Sequence, residues 1–476
     1  MEAQKAGPKK SGAAKAAPAI PSAFGSKAES PQRPLYDSIT KQEEEQKLIA
    51  VLKSDGQEFD KDVACRRLAV IGTKEAVPAL AALLSDENLC DVARYPLEII
   101  ADVSADEALR AALGKLKGRQ LIGVINSIGI RRDQKAIGEL VKRIGDADAG
   151  VAAACAAALG KIGGPDATKA LAQALTSDPA AVRPAVGDAL LAIADALMAA
   201  GKRDEAAAIF DKVRGAQVPK PLALAATRGA ILARQSEGVG LLVEQLKSGD
   251  WDVLDMALRL VREMPGTDVT RATAAQVGSL SPEKRILLLK ALGDRRDAAA
   301  LPTVLDAAKG GETRVRVAAL EALAQLGDAS VVPVLFDAAL GSEAVVAAAA
   351  QASLAGLPNT DTKVNDAVVA RLADKDPKAR RVAIETVGKR QILTAVPPLV
   401  KADDSDAQVR VAALKALTEI ALVHRGGAAK DAAKQAALAL ADKLAQSNPT
   451  EAGEAKKKLT EPLAPEGPVK MKSPGL

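Results

Sequence analysis

The sequence repeats itself with a period of about 31 residues between residues 58 and 446. The segment Val315–Leu323 recurs as Val409–Leu417, 94 residues later, which is three such periods, and Ala379–Ile384 matches both from a position between them. Apolar residues follow helical spacing in both halves of a unit, and Pro opens the second half of several units, where a helix loses no hydrogen bond to it. One helical hairpin cannot bury its own apolar face, so successive hairpins have to stack. The repeat therefore predicts an all-α solenoid of about twelve antiparallel helix pairs.

Alanine supplies 101 of the 476 residues, whereas Phe, Trp and Tyr together number only seven. Compact multi-domain enzymes normally fill their cores with aromatic and large aliphatic side chains. A chain so rich in Ala is instead built from helices that approach one another closely. The single His and the three Cys exclude most His-based and transition-metal chemistry, and we predict no catalytic residue, no metal site and no cofactor.

Each unit is interpreted as helix A, a turn, helix B and a short loop. The turns carry glycines that we expect to cap the A helices, namely Gly72, Gly293, Gly327 and Gly388. The Val-Arg-x-Ala-Ala-Leu segments, the Leu-Gly-Asp turn and the Val-Pro-x-Leu helix starts resemble the HEAT family, in the short bacterial form known as PBS-lyase-like HEAT repeats. The resemblance covers about four fifths of the chain. It implies a right-handed superhelix with a binding or scaffolding role, and residues 93–174 look like uncharacterised bacterial proteins made of such repeats.

The two ends of the chain differ from the repeats because they concentrate Pro, Lys, Ala, Gly and Ser. Such segments cannot bury enough apolar surface to offset chain entropy, so residues 1–34 and 447–476 are predicted to be disordered tails. The regular unit lapses at Ala194–Val213, which is more like a tetratricopeptide hairpin. We therefore predict an N-terminal solenoid over residues 35–216, ending in this hairpin, and a C-terminal solenoid over residues 217–446.

The net charge of +5 lies in the two ends, because the 412 residues between the predicted tails contain 54 basic and 54 acidic side chains. A body without net charge lacks the usual electrostatic footprint of a nucleic-acid-binding protein. The sequence contains neither a membrane-spanning apolar run nor a signal-peptide core, so we expect no membrane insertion and a cytoplasmic location. Related HEAT proteins often carry export signals. Cys65, Cys90 and Cys155 are expected to be buried free thiols.

Basic residues recur two positions after the turn glycines of three units, and most have a second basic residue beside them. The set of candidate binding residues consists of Arg131, Arg132, Arg295, Arg296 and Arg390. One interpretation is that these cations neutralise the ends of the A helices and pair with nearby Asp side chains. The other is a discontinuous basic rim that binds an acidic partner.

Two further residues occur only once in the chain. Trp251 lies where a loop meets a helix start, and it either packs across a repeat junction or anchors a partner. His424 lies at the end of a predicted helix, where it interacts with the helix C-terminus. A single His cannot supply the paired ligands of a di-iron site, and nothing else in the sequence supports a catalytic triad.

The sequence thus predicts a non-catalytic scaffold that binds protein partners of unknown identity along a concave face lined by its B helices. A nucleic-acid-binding HEAT protein is the first alternative, and a steep loss of DNA affinity with rising salt would identify it. A bilin-lyase-like enzyme, or its accessory subunit, is the second alternative, and only fold-level analogy supports it. The oligomeric state does not follow from the sequence.

Overall fold

The structure, a computed structural model, describes residues 40–177, 180–358, 362–401, 405–423 and 428–460. These residues form α-helices joined by short loops and single 3-10 turns, and no β-strand occurs among them. The prediction of an all-α solenoid is confirmed, whereas the handedness of a superhelix stays a prediction. The predicted N-terminal tail, residues 1–34, lies outside the described residues.

The chain divides into two compact units, Met1–Ala108 and Leu109–Leu476. The helices of the first unit are α1 (Lys41–Lys53), α2 (Glu58–Ile71), α3 (Val77–Ala82) and α4 (Cys90–Ile99), and the boundary falls inside α5 (Val103–Leu113). The second unit begins with α6 (Gly118–Arg131), α7 (Ile137–Val141), α8 (Ala149–Ile162), α9 (Gly164–Ser177), α10 (Arg183–Ala199), α11 (Arg203–Arg214), α12 (Lys220–Arg234), α13 (Val239–Leu246), α14 (Trp251–Glu263), α15 (Thr267–Ala274) and α16 (Pro282–Arg295). It continues with α17 (Leu301–Lys309), α18 (Thr313–Leu326), α19 (Val332–Leu340), α20 (Ala344–Gly356), α21 (Thr362–Ala370), α22 (Pro377–Arg390), α23 (Val396–Lys401), α24 (Ala407–Val423), α25 (Ala428–Leu444) and α26 (Pro449–Thr460).

In the second unit, the A helix of one hairpin packs against the A helix of the next. The helices α6, α8 and α10 form one such row, and α16, α18 and α20 continue the pattern farther along the chain. One apolar core runs from Ile231 in α12 to Leu459 in α26, between the A helices of this part of the chain and their B partners. Ala158, Ala319 and Ala413 are buried in the row of A helices, in agreement with the close helix approach that the composition predicts.

The loops before the B helices repeat one hydrogen-bonded arrangement. The carboxylate of Asp297 accepts a hydrogen bond from the backbone N–H of Ala299 at 3.0 Å, and Asp328 occupies the same position in the next hairpin. Each Asp opens a 3-10 turn that leads into α17 or α19. Pro302 and Pro333 follow in the first turns of these helices, where a missing N–H costs nothing. The predicted Pro starts are confirmed.

The glycines at the ends of the A helices play two different roles. Gly72 and Gly327 follow the last residues of α2 and α18 and are C-caps, as predicted. Gly293 and Gly388, which were expected to be caps as well, lie inside α16 and α22. The caps of these two helices come three residues later, and their backbone is left-handed. The prediction is therefore wrong for Gly293 and Gly388.

The glycines inside the A helices allow the next A helix to come close. A Cβ atom added at Gly129 in α6 would lie 2.8 Å from the Cα atom of Ala158 in α8. One added at Gly388 in α22 would lie 2.9 Å from the Cα atom of Ala416 in α24. Carbon atoms in contact normally stand about 3.5–4.0 Å apart, so even a methyl group does not fit. Packing between the A helices of successive hairpins, rather than turn conformation, requires Gly at these positions.

The structure places the division of the chain at residues 108 and 109 rather than near residue 216. The predicted hairpin is present as α10 and α11, but α11 packs directly against α12. Gly229 of α12 lies so close to the ring of Phe210 in α11 that no methyl group would fit between them. The hairpin therefore continues the array, because the next helix covers its apolar face.

The predicted C-terminal tail, residues 447–476, starts too early. Residues Pro449–Thr460 form α26, which packs against α24 and α25 and buries Ala452, Ala455 and Leu459. The spacing of three and four residues gives an otherwise charged segment one apolar face. The Lys-rich and Pro-rich composition of the whole segment concealed this face. Residues after 460 lie outside the part of the chain that the structure describes.

Candidate partner-binding site

Arg295, a predicted rim residue, is buried between two hairpins. Only 7% of its side chain is exposed. Its Nη1 donates a hydrogen bond to the carbonyl oxygen of Val261 at 2.7 Å, and its Nη2 donates one to the carbonyl oxygen of Gly266 at 2.5 Å. Its Nε donates to Oγ1 of Thr270 at 2.5 Å. Arg295 thus satisfies carbonyl groups at the C-terminal end of α14, the A helix of the preceding hairpin.

Arg390 repeats this arrangement 95 residues later, which is three hairpins farther along the chain. The residue is 6% exposed, and its Nη1 donates to the carbonyl oxygens of Leu354 at 3.1 Å and Leu357 at 2.7 Å. Its Nη2 donates to Oδ1 of Asn365 at 2.9 Å. Burial lowers the pKa of the Arg390 guanidinium from its usual value. The two most enclosed members of the predicted rim therefore join hairpins to each other, and the rim hypothesis is wrong for Arg295 and Arg390.

The other arginines of the predicted rim remain accessible to different degrees. Arg131 ends α6 and is half-buried, whereas Arg132 and Arg296 are exposed C-caps in left-handed backbone, each with a φ of 55°. Nη2 of Arg296 donates to Oε1 of Gln325 at 3.2 Å. None of the three lines the groove described below. The structure therefore does not gather the predicted arginines into one binding surface.

Trp251 is the first residue of α14, and 61% of its surface is exposed. This exposure does not support packing across a repeat junction, and the role of Trp251 in anchoring a partner stays a prediction. Nζ of Lys220 pairs with the carboxylates on either side of it, with Asp250 at 2.7 Å and also with Asp252. His424 lies outside the described residues.

A groove of about 860 Å³ opens between the B helices α9 and α11, with α10 as its floor. Its volume falls in the range of roughly 300–1,000 Å³ that is typical of ligand pockets. Leu175, Ile193 and Ile209 line it as buried side chains, and Leu197 is half-buried. The floor of the groove is therefore apolar.

The groove coincides with the hairpin that departs from the regular repeat. The helix α10 has 17 residues, whereas α8, the A helix before it, has 14. The gap between the walls stays open because the side chains that project into it are small, namely Ala172 from α9 and Ala208 from α11. The tight turn between α10 and α11 contains Gly201, whose φ of +77° is one that Gly adopts without strain. The sequence irregularity at residues 194–213 is the one signal that could have located this site.

The acidic side chains of the groove are already paired. Desolvation opposes ionisation of Asp211, but hydrogen bonds from Arg214 and Arg234 hold the pKa of its carboxyl below the usual value. Nε of Arg214 lies 2.7 Å from Oδ1 of Asp211, and Nη2 of Arg234 pairs with Oδ2. Glu205 pairs with Lys202 across 3.2 Å. Neither carboxylate is left to repel an acidic ligand.

Two basic side chains of the groove have no such counter-ion. Lys169 on α9 and Lys212 on α11 line opposite walls, and both are exposed. Neither forms an ion pair with any residue in the described ranges. The mouth of the groove therefore carries positive charge above an apolar floor.

A second apolar surface belongs to the first unit. Phe59, Val63 and Val70 project from one face of α2, and Phe59 and Val70 are 74% and 75% exposed. Tyr95 and Ile99 are exposed on α4, which packs beside α2. Contiguous exposed apolar side chains often mark interaction surfaces.

The described residues contain no group of three His, Cys, Asp or Glu side chains that could hold a metal ion. Cys65, Cys90 and Cys155 are buried free thiols, as predicted. Burial raises the pKa of Cys65 to about 11 and that of Cys155 to about 12. Within the described part of the chain, no helix combines the length and the apolarity needed to cross a bilayer.

Comparison with known proteins identifies repeats of one family in three parts of the chain. The family model of HEAT repeats matches residues 107–191 and 270–355, and a second model of the HEAT repeat matches residues 395–424. No curated protein matches the sequence.

Three solved structures are similar to the chain in helical architecture. A karyopherin bound to the extreme C-terminus of a protein phosphatase is 11% identical with a TM-score of 0.49, and the match covers 89% of this chain and 55% of that one. Yeast importin-β is 14% identical with a TM-score of 0.40, covering 88% and 67%. Human deoxyhypusine hydroxylase in complex with glycerol is 20% identical with a TM-score of 0.26, covering 61% and 98%. The chain thus spans between about half and two thirds of the length of the karyopherin and of importin-β.

Proposed function

We propose that this chain, a HEAT-repeat protein, is a scaffold that binds a protein partner in the groove between α9 and α11. The observation that carries the proposal is the combination of a recessed apolar floor with open walls and a charged mouth. Interfaces between proteins have this anatomy, with an apolar centre inside a polar margin.

The composition of the groove supports binding rather than chemistry. Its described lining contains no Cys and no His, and both of its carboxylates are held in ion pairs. A hydrolytic or transfer reaction would require a nucleophile beside a free base. Apolar side chains such as Leu197 and Ala208 instead offer accessible area for hydrophobic contact. The groove walls are B helices, the layer that we propose to form the partner-binding face of the array.

A photocrosslinking amino acid at Ala208 tests the proposal in the native cell. Ala208 is an exposed wall residue of the groove, and Ala157, exposed on α8 outside the groove, is the matched control position. We expect a discrete crosslinked protein from Ala208 and none from Ala157, identified by mass spectrometry. Equal crosslinking at both positions, or crosslinking only from Phe59 on the second apolar surface, would rule out the groove as the binding site.

The partner found in this way is then tested with purified proteins. The substitution Ala208→Trp fills the groove, and Ala157→Trp places the same side chain on α8. We expect Ala208→Trp to abolish binding and Ala157→Trp to leave it unchanged, with unaltered thermal unfolding of both variants. Full binding by Ala208→Trp would contradict the proposal.

A further inference from the structure

We infer that the occupant of the groove is an acidic amphipathic helix of the partner, whose apolar face enters the groove while its carboxylates pair with Lys169 and Lys212. The inference rests on the proposed function and adds to it the chemical class of the ligand.

The charges at the mouth of the groove select the sign of the ligand. Lys169 and Lys212 stand on opposite walls, and neither has an ion-pair partner among the described residues. Asp211 is occupied by two guanidinium groups, and Glu205 is occupied by Lys202. An incoming ligand therefore meets two uncompensated ammonium groups. Complementary charges of this kind steer encounter and reject ligands of the wrong sign.

The shape of the groove selects a helix. Its walls are two B helices, α9 and α11, which present rows of side chains on either side of a gap. A third helix fits such a gap by placing its own ridge of side chains between these rows. Helix-in-groove recognition uses apolar anchors at positions i, i+3, i+4 and i+7. Ile193 and Leu197 of α10, together with Ile209 of α11, form the apolar lining that receives these anchors.

The same features disfavour a nucleic acid in this groove. Phosphate groups would pair with the lysines, but the apolar floor offers nothing to a sugar-phosphate backbone. Base stacking needs aromatic side chains, and the described lining contains none. Only a ligand that is both apolar and acidic can contact the floor of the groove and also pair with the lysines at its mouth.

Synthetic peptides of about four helical turns provide the probes. The first carries Leu at the anchor positions and Glu on the flanks, the second has Lys in place of each Glu, and the third has Ser in place of each Leu. Binding to the full-length protein is measured by fluorescence anisotropy. We expect the Glu–Leu peptide to bind and the other two to bind at least about tenfold more weakly.

Charge reversal in the groove completes the test. We expect the double variant Lys169→Glu/Lys212→Glu to bind the Glu–Leu peptide about tenfold more weakly and the Lys–Leu peptide more tightly. Exposed Lys115 and Lys290 lie outside the groove, so Lys115→Glu/Lys290→Glu changes the net charge equally and is expected to alter neither affinity. Circular dichroism confirms that all variants are folded.

Each contrary result identifies which idea fails. Equal affinity for the Glu–Leu and Lys–Leu peptides, or no effect of Lys169→Glu/Lys212→Glu, would overturn the acidic ligand while a crosslinked partner at Ala208 still supported the scaffold. Equal affinity for the Glu–Leu and Glu–Ser peptides would reduce the groove to a general anion site and overturn the amphipathic helix. No peptide binding together with no crosslink at Ala208 would remove both proposals.

Discussion

Replacing Gly129 with Ala adds one methyl group at a close contact between α6 and α8. The new Cβ atom would lie 2.8 Å from the Cα atom of Ala158 and 3.1 Å from its Cβ atom. Both neighbours are fixed to the backbone of a buried helix, so neither can rotate away. The two A helices would have to move apart by several tenths of an ångström or more to restore ordinary contact.

Two opposing effects determine the change in the free energy of unfolding. Ala is a better helix former than Gly by about 1 kcal/mol, which stabilises the variant. Forcing a methyl group into a filled contact costs about 1–3 kcal/mol. The methyl group meets backbone atoms rather than the end of a flexible side chain, so we expect the cost to lie in the upper part of this range. The net expectation for Gly129→Ala is a loss of about 1–2 kcal/mol.

Urea unfolding followed by circular dichroism measures this difference. The control is Gly240→Ala in α13, where an added Cβ atom meets no other atom within 4 Å. The same chemical change should there raise the free energy of unfolding, by up to about 1 kcal/mol. A Gly129→Ala variant as stable as the parent, or a Gly240→Ala variant that loses as much, would refute the explanation by close helix approach.

Four further outcomes follow from the hydrogen bonding, the backbone conformation and the burial described above. Arg390→Met should lower the free energy of unfolding by about 2–3 kcal/mol, because buried carbonyls lose their donors, and unchanged urea melts would contradict this. Gln391 has a φ of 57°, so Gln391→Gly should raise the free energy of unfolding by up to about 1 kcal/mol in calorimetry, and a decrease would show that the backbone is not strained there. Because burial raises the pKa of Cys65 to about 11 and that of Cys155 to about 12, iodoacetamide at about pH 8 should alkylate these thiols only after denaturation. Since the usual pKa of a thiol is 9.0, these thiols should also make stability fall as the pH rises from about 9 towards the folded values. Alkylation of the native protein, detected by mass spectrometry, would argue against their burial.

Local sequence patterns were sufficient to predict the helical hairpins. A Pro in the first helical turn, as at Pro302 and Pro333, has the same consequence in any helix. An Asp five residues earlier, such as Asp328 before Pro333, satisfies a free N–H group without help from distant residues. Such signals depend only on neighbours in the chain, and the structure confirms them.

Contacts between hairpins were beyond the reach of such patterns. Gly72 and Gly293 occur in similar sequence contexts, yet one caps a helix and the other lies inside one. A Cβ atom at Gly293 would lie 3.1 Å from the Cα atom of Ala322 in α18, whereas the nearest atoms at Gly72 belong to Leu68 of its own helix. Arg295 likewise follows a turn glycine, but its side chain reaches back to α14, so its burial depends on residues about 30 positions away. The groove was missed for the same reason, because Ile193 and Ile209 are ordinary apolar residues until α9 and α11 are placed around them.

Arg295 and Arg390 each supply hydrogen bonds to a helix that was completed earlier in the chain. Among the described residues, the carbonyl oxygens of Leu354 and Leu357 accept hydrogen bonds from a side chain 36 and 33 residues farther on. During synthesis, the end of α20 is therefore left hydrated until α22 has left the ribosome and folded. Folding of these segments should follow translation with a delay of one hairpin, and a nascent chain arrested just before Arg390 should fray at the end of α20.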